Sequence, residues 1–153
     1  MDSLLSLLGL AKKAGRLEVG EEPVGAAARA RKARLILLAS DAADNSARRA
    51  QHFADAGACI LLRLPATKDE LGSAVGRSSV AMTALTDVGF AEAVAKKLAA
   101  IDPVQYGEAA ERLSVKARRA QERRNEQERH EKNLRSGKKR AIHAAGAKSD
   151  KSR

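Results

Sequence analysis

One six-residue run limits this chain's fold more than any other feature. Residues 34–39 read RLILLA, apolar on both faces of an extended segment. A strand of that kind must be covered on both sides, as the inner strands of α/β sheets are. The flanking sequence supplies the covers. Leu4, Leu5, Leu7, Leu8 and Ala11 recur at helical spacing, with Gly15 as a stop after Lys12 and Lys13. Leu17–Val19 is a short strand ended by Gly20. A helix begins near Pro23, which a first turn tolerates, and Ala26, Ala27, Ala28 and Ala30 support it.

Beyond the central run the alternation continues. SDAADNSARRAQHFADAG predicts a loop and then a helix, capped by Asp44 or Asn45 and stopped at Gly57. CILLRL is the next strand, ended by Pro65. Thr67 caps KDELGSAVG, with Glu70 in the capping-box position. SVAMTALT is a fourth strand, Asp87 caps GFAEAVAKKLAAI, and Asp102-Pro103 closes that helix. Helices and strands therefore alternate through residues 1–101, which predicts a three-layer α/β domain with four short strands in one sheet.

Composition narrows the chemistry. Aromatic residues make up 2% of the 153, so the core must be aliphatic and alanine-rich. One cysteine, Cys59, excludes an intrachain disulfide and a cysteine-based zinc site, and it fits a reducing cytoplasm. The N-terminal apolar run lacks a preceding basic residue and a small-residue cleavage site, so it reads as a helix rather than a signal peptide. No stretch approaches the roughly 20 apolar residues that span a bilayer, and no membrane partner is expected. The net charge of +10 is lopsided: residues 106–153 hold 15 Lys/Arg against 7 Asp/Glu, leaving residues 1–105 at +2. Residues 102–153 are thus expected to form a basic extension, helical at first and disordered from Ser136 onward, suited to a polyanion.

Four ordered segments carry a likeness to a known family: LLGLAKKAGRLEVGEE, ARLILLASDAADNSARR, TKDELGSAVGR and ALTDVGFAEAVAKKL. Together they resemble the L7Ae/L30e ribosomal-protein superfamily, most closely its small bacterial members, over roughly residues 1–100. The resemblance implies an α/β/α sandwich around a mixed four-stranded sheet. It also implies RNA binding, in many members to the kink-turn, a sharply bent internal loop. The family's RNA face comes from three loops at one end of the sheet. Here these are the turn Gly20-Glu21-Glu22, then Ser40-Asp41, then Gly76-Arg77-Ser78-Ser79. The family's first turn often reads Gly-x-Asn-Glu-x-x-Lys; Glu22, Pro23 and Ala26 stand at its Asn, Glu and Lys positions.

Residue chemistry adds to this picture. Unpaired amides at a helix N-terminus suit an anion, and Gly20 lets a backbone approach, but Glu21 and Glu22 repel phosphate there. Their carboxylates can instead accept from an unstacked guanine edge. Lys13, Arg16, Arg29 and Lys32 are candidates for phosphate contacts, which carry affinity without sequence information. Arg77 can stack on a base or pair a phosphate bidentately. No aromatic residue is placed for base stacking: Phe53 and Phe90 read as core and Tyr106 as lying past the domain. Asp41, Asp44 and Asp87 read as loop or cap residues, and GEEPVG lacks the Lys-Ser/Thr of a phosphate loop. The sequence therefore predicts a non-enzymatic binder of structured, ribosome-associated RNA, without cofactor or metal. A protein-interaction adaptor that keeps the fold is the alternative.

Overall fold

The structure is a computed structural model describing the backbone of residues 1–151 and the side chains of residues 1–137. The elements are α1 (Asp2–Lys13), β1 (Leu17–Val19), α2 (Glu21–Arg29), β2 (Leu35–Leu38), α3 (Asp44–Gly57), β3 (Ile60–Arg63), α4 (Lys68–Ala74), β4 (Met82–Leu85), α5 (Val88–Ile101) and α6 (Pro103–Lys151). The strands form one mixed sheet in the order β1-β4-β2-β3. β4 runs antiparallel to both β1 and β2, while β2 and β3 are parallel. That parallel pair needs a crossover, and α3 supplies it.

Period-two alternation sorts the sheet into two faces. Leu17, Val19, Leu35, Leu37 and Leu85 join one cluster with Leu4, Leu8 and Ala11 of α1, Leu71 of α4, and Ala91, Val94 and Leu98 of α5. Ile36, Leu38, Met82 and Ala84 join the other with Val24, Ala27 and Ala28 of α2 and Ala50 and Ala54 of α3. The result is the three-layer sandwich expected from RLILLA, whose strand residues are all buried. Phe53 and Phe90 are half-buried at the margins of the two clusters.

Local signals explain most boundaries. Thr67 accepts from Glu70 N at 3.2 Å and Glu70 Oε1 accepts from Thr67 N at 3.2 Å, closing the capping box. Asp87 accepts from Phe90 N at 3.0 Å and caps α5. Two expectations are corrected. The cap of α3 is Ala43, with Asp44 inside the first turn. Gly57 is not the stop of α3 but its last helical residue; Ala58 takes the left-handed conformation instead. Gly57 is needed because a β-carbon there would sit 2.9 Å from Ala28 O, where α3 crosses the end of α2.

The chain divides into two units, Met1–Ala117 and Arg118–Arg153. The first reaches past the boundary expected at residue 101, because Tyr106, Ala110 and Leu113 of α6 lie in the core. Tyr106 is only 2% exposed, so it belongs to the domain rather than lying beyond it. Asp102 closes α5 as expected, and its Oδ1 also accepts from Gln105 N at 3.2 Å to start α6. The second unit carries the rest of α6, whose side chains through Gly137 are almost all exposed. The disorder expected from Ser136 onward falls, apart from helical Ser136 and Gly137, on residues whose side chains lie outside the described ones. Among the described residues no helix is long and apolar enough to cross a membrane.

Candidate nucleic-acid interface

The strand directions decide which loops meet. β1, β2 and β3 end where β4 begins, so the segments after the first three strands and before the fourth share one end of the sheet. Backbone hydrogen bonds fasten them together. Gly20 N donates to Met82 O at 3.1 Å, Ala39 N to Ala81 O at 2.8 Å and Ser40 N to Ala66 O at 2.8 Å. Asp41 Oδ1 accepts from Lys68 N at 2.7 Å, holding the start of α4 against the segment after β2. The stretches around Gly20, Ser40 and Arg77, distant in the chain, therefore form one surface.

Each segment has its own means of support. Gly20 has φ +98, a conformation that an L side chain rarely adopts, and it lets the chain turn from β1 into α2. No side chain caps α2 there, so the amides of Glu21 and Glu22 remain available to an anion, while Pro23 has no N–H and Val24 N already donates to Gly20 O at 3.0 Å. Gly76, at φ +76, turns the chain out of α4. Arg77 N donates to Gly72 O at 2.8 Å, and the loop lies so close on α4 that a β-carbon on Gly72 would sit 2.8 Å from Arg77 O and Ser79 N. Arg77, Ser78 and Ser79 are exposed on the resulting ledge.

Of the residues singled out in the sequence, Gly20, Glu21, Glu22, Ser40, Asp41, Gly76, Arg77, Ser78 and Ser79 come to this end. Lys13 lines a groove with Leu10, Ala74, Val75 and Gly76, so it flanks the same loop. Its neighbour Lys12 donates from Nζ to Val75 O at 2.8 Å. Three residues do not join. Arg16 precedes β1 and its carbonyl accepts from Thr86 N at 3.0 Å, at the opposite end of the sheet. Lys32 lies in the turn leading to β2, also at that opposite end. Arg29 closes α2, and its Nη1 lies within 3.2 Å of where a β-carbon on Gly25 would sit, folded back along the helix.

Sequence reasoning missed two cations of the interface. Arg63, the last residue of β3, donates from Nη1 to Ser40 O at 2.9 Å. Its signal was present: a basic residue closing an apolar run, at the end of the sheet where RLILLA also finishes. Arg49 of α3 pairs with Glu21 of α2, Nη1 to Oε2 at 2.7 Å. Nothing local announces that pair, because 28 residues separate the partners. It depends on α2 and α3 packing closely at Gly25, where a β-carbon would meet Phe53 at 2.8 Å.

Tyr106 ties α6 to this surface by donating its hydroxyl to Arg63 O. Burial, and then the charge of Asp102, push the phenol above its ordinary pKa. Cys59, at the other end of β3, also sits above its ordinary value because burial disfavours the thiolate; the charge of Lys116 opposes that shift. Among the described residues no three His, Cys, Asp or Glu side chains are grouped as a metal site would need.

Comparison with known proteins places the fold. Residues 2–95 match the model of the ribosomal protein L7Ae/L30e/S12e/Gadd45 family. The RNA-binding protein YlxQ of Bacillus subtilis (strain 168) is 35% identical over 89 residues, which span 56% of this chain and 84% of that protein. Among solved structures, a Bacillus halodurans protein of unknown function superposes with a TM-score of 0.56 at 29% identity, over 61% of this chain and 93% of that one. The 15.5 kD RNA-binding protein of Giardia lamblia shares the fold, with a TM-score of 0.50 at 18% identity over 61% of this chain and 79% of that one.

Proposed function

Because the chain belongs to the ribosomal protein L7Ae/L30e/S12e/Gadd45 family, we propose that it is a non-enzymatic RNA-binding protein of the cytoplasm whose loop end cradles a bent, structured RNA of the kink-turn kind, in association with the ribosome. The observation that carries this reading is the fastening of three separate segments into one end surface by backbone hydrogen bonds. Such a surface is rigid before any ligand arrives, so little ordering is needed on binding. It offers free amides at α2, the guanidinium of Arg77 with the hydroxyls of Ser78 and Ser79, and acceptors at Glu22. That mixture suits an RNA whose bases are splayed out and whose backbone turns sharply. With Glu22, Pro23 and Ala26 at the first turn, recognition rests on shape and backbone more than on a base code.

The extension supplies a second, less specific contribution. Residues 118–153 carry 13 Lys/Arg against 5 Asp/Glu, a charge that gathers phosphate from a distance. A gel-shift titration of the full chain should favour a kink-turn over a straight duplex of equal length by at least about tenfold, since contacts that total about 1.4 kcal/mol suffice. Equal affinity for the two would remove the bend from the proposal. Deleting residues 118–153 should flatten the salt dependence by about 0.7–0.9 in log–log slope for every phosphate that is no longer neutralised. The cut belongs after Ala117, since Tyr106 and Leu113 are core. Crosslinking that recovers protein partners and no RNA would favour the adaptor instead.

A further inference from the structure

We propose that the end of the sheet opposite the cradle is a second RNA contact, a surface for the backbone of a duplex, so that one domain bridges two RNA segments. The cations that fail to reach the cradle are the starting point. Arg34 N donates to Leu85 O at 2.7 Å and Thr86 N donates to Arg16 O at 3.0 Å. Arg16 and Arg34 therefore flank the end of β4, two strand spacings or about 10 Å apart. Arg31 and Lys32 stand in the turn between α2 and β2 beside them. All four are exposed, and no ion pair engages any of them among the described residues. The acids near this end keep their charge, since Asp55 accepts from the neutral amide of Gln51 and Asp87 accepts from a backbone amide as the cap of α5. Glu18 stands two residues from Arg16 on β1, and none of the three acids pairs with the four cations among the described residues.

A second observation points the same way. Arg31 has φ +56, one of two non-glycine residues in the left-handed region among those described. The bonds Arg31 N to Ala28 O and Lys32 N to Ala27 O close α2 with a reversed turn, in which glycine is the usual occupant. This turn sets Arg31 and Lys32 side by side past the end of α2, both exposed.

The chemistry favours nucleic acid over protein as the occupant. Protein interfaces are anchored by large apolar or aromatic groups. The exposed large apolar residues among those described are Met1, Leu10, Ile101, Val104 and Leu134, and none lies in the turns that carry these four cations. Flexible cations without aromatic residues suit the phosphates and 2′-hydroxyls of a duplex, which side chains recognise by shape rather than sequence.

This inference rests on the cradle's binding RNA, and the test separates the two. The full chain is held on beads by an immobilised kink-turn hairpin, and capture of a labelled RNA duplex of about two helical turns is measured. The wild type should capture the duplex. A variant carrying Arg16→Gln, Arg31→Gly, Lys32→Gln and Arg34→Gln should bind the hairpin within about threefold of wild type while duplex capture falls at least about tenfold. A control carrying Arg118→Gln, Arg119→Gln, Arg123→Gln and Arg124→Gln removes the same charge from α6 and should reduce capture much less. Equal reductions in the two variants would mean that net charge alone is read, and unchanged capture by the first would overturn the proposal. So would a wild type that captures polyglutamate or phosphatidylserine vesicles but no duplex. If the hairpin itself is not held, the cradle reading fails; duplex titration of wild type and variant in solution then decides the second contact by itself. A melting temperature for the first variant at or above wild type excludes misfolding.

Discussion

The two ends of the sheet are built on different plans. At the cradle end the chain is fixed by bonds between segments far apart in sequence: Gly20 to Met82, Ser40 to Ala66, Asp41 to Lys68. Acids and bases are interleaved there, with Glu21 against Arg49 and Arg63 on Ser40 O. At the opposite end the exposed cations stand on strand ends and one helix-closing turn, and no ion pair engages them among the described residues. Backbone bonds join distant segments at this end too, Arg34 to Leu85 and Thr86 to Arg16, so the ends differ in their side chains: the first ties its cations into a shape and the second presents a field. Base contacts and bent backbones need shape, whereas phosphate attraction needs only charge in reach. The same substitution strategy should therefore have opposite consequences at the two ends: geometric changes cripple the cradle, and charge changes silence the far end while leaving the fold alone.

The largest effect should come from Gly72→Ala. A β-carbon would press on Arg77 O and Ser79 N at 2.8 Å, and backbone cannot rotate away as a flexible side chain can. Overpacking of this kind costs about 1–3 kcal/mol, which lowers the melting temperature by several degrees in a domain of this size. The loop 76–79 must lift off α4, so kink-turn affinity should fall more than about tenfold while duplex capture at the far end persists. Kink-turn titration at a temperature where both proteins are folded checks it. An unchanged affinity would mean that the ledge is not part of the cradle.

A smaller effect is expected from Tyr106→Phe, which tests whether α6 braces the cradle through Arg63. Removing the hydroxyl's bond to Arg63 O should cost about 1 kcal/mol, read by denaturant or thermal unfolding, with a modest decrease in RNA affinity. The phenol's pKa is raised in the folded protein by burial and by Asp102. Folding thus favours the protonated form. That contribution is fully present below the ordinary phenol value of about 10 and is lost as pH rises through the folded value. Wild-type stability should fall over that alkaline window, and the Phe variant should lack that component of the fall.

How far the sequence foretold this depends on the range of the interaction concerned. The sandwich was legible because RLILLA is apolar on both faces, and Thr67, Glu70 and Asp87 announce their caps within three residues. The membership of the cradle was legible only through resemblance, since nothing local shows that Gly20 will meet Met82. Basic character alone nominated Arg16, Arg29 and Lys32 for phosphate contact without assigning them an end, because charge does not say to which end of a strand a residue belongs. Only the pairing of β4 against β1 and β2 settles that. Tyr106 was misread for a related reason: it follows Asp102-Pro103, a boundary signal, and its burial depends on β3 leaving an edge for α6 to cover. Gly57 was misread because a glycine at a helix end serves as a stop far more visibly than as a point of close approach.

The smallest expected change in stability, and the sharpest question about charge, concerns Glu21. Its carboxylate is held by Arg49 at 2.7 Å on a pair that is largely exposed, and such pairs contribute about 0–1 kcal/mol. Glu21→Gln should leave the melting temperature nearly unchanged. Its effect on RNA binding divides two roles. If Glu21 serves to hold Arg49, the substitution frees the guanidinium for phosphate: affinity should rise severalfold at low salt, and the salt slope should steepen by about 0.7–0.9, the increment for one more neutralised phosphate. If Glu21 itself accepts from a base, affinity should fall and the slope should stay as it was. We expect the first result, because an acceptor already engaged by a cation at 2.7 Å makes a poor reader of bases, while Glu22 beside it is exposed and has no ion-pair partner among the described residues. Glu22→Gln should then weaken kink-turn binding without changing the salt slope. Reversed results for the two glutamates would exchange their roles and leave Arg49 as a structural tether between α2 and α3.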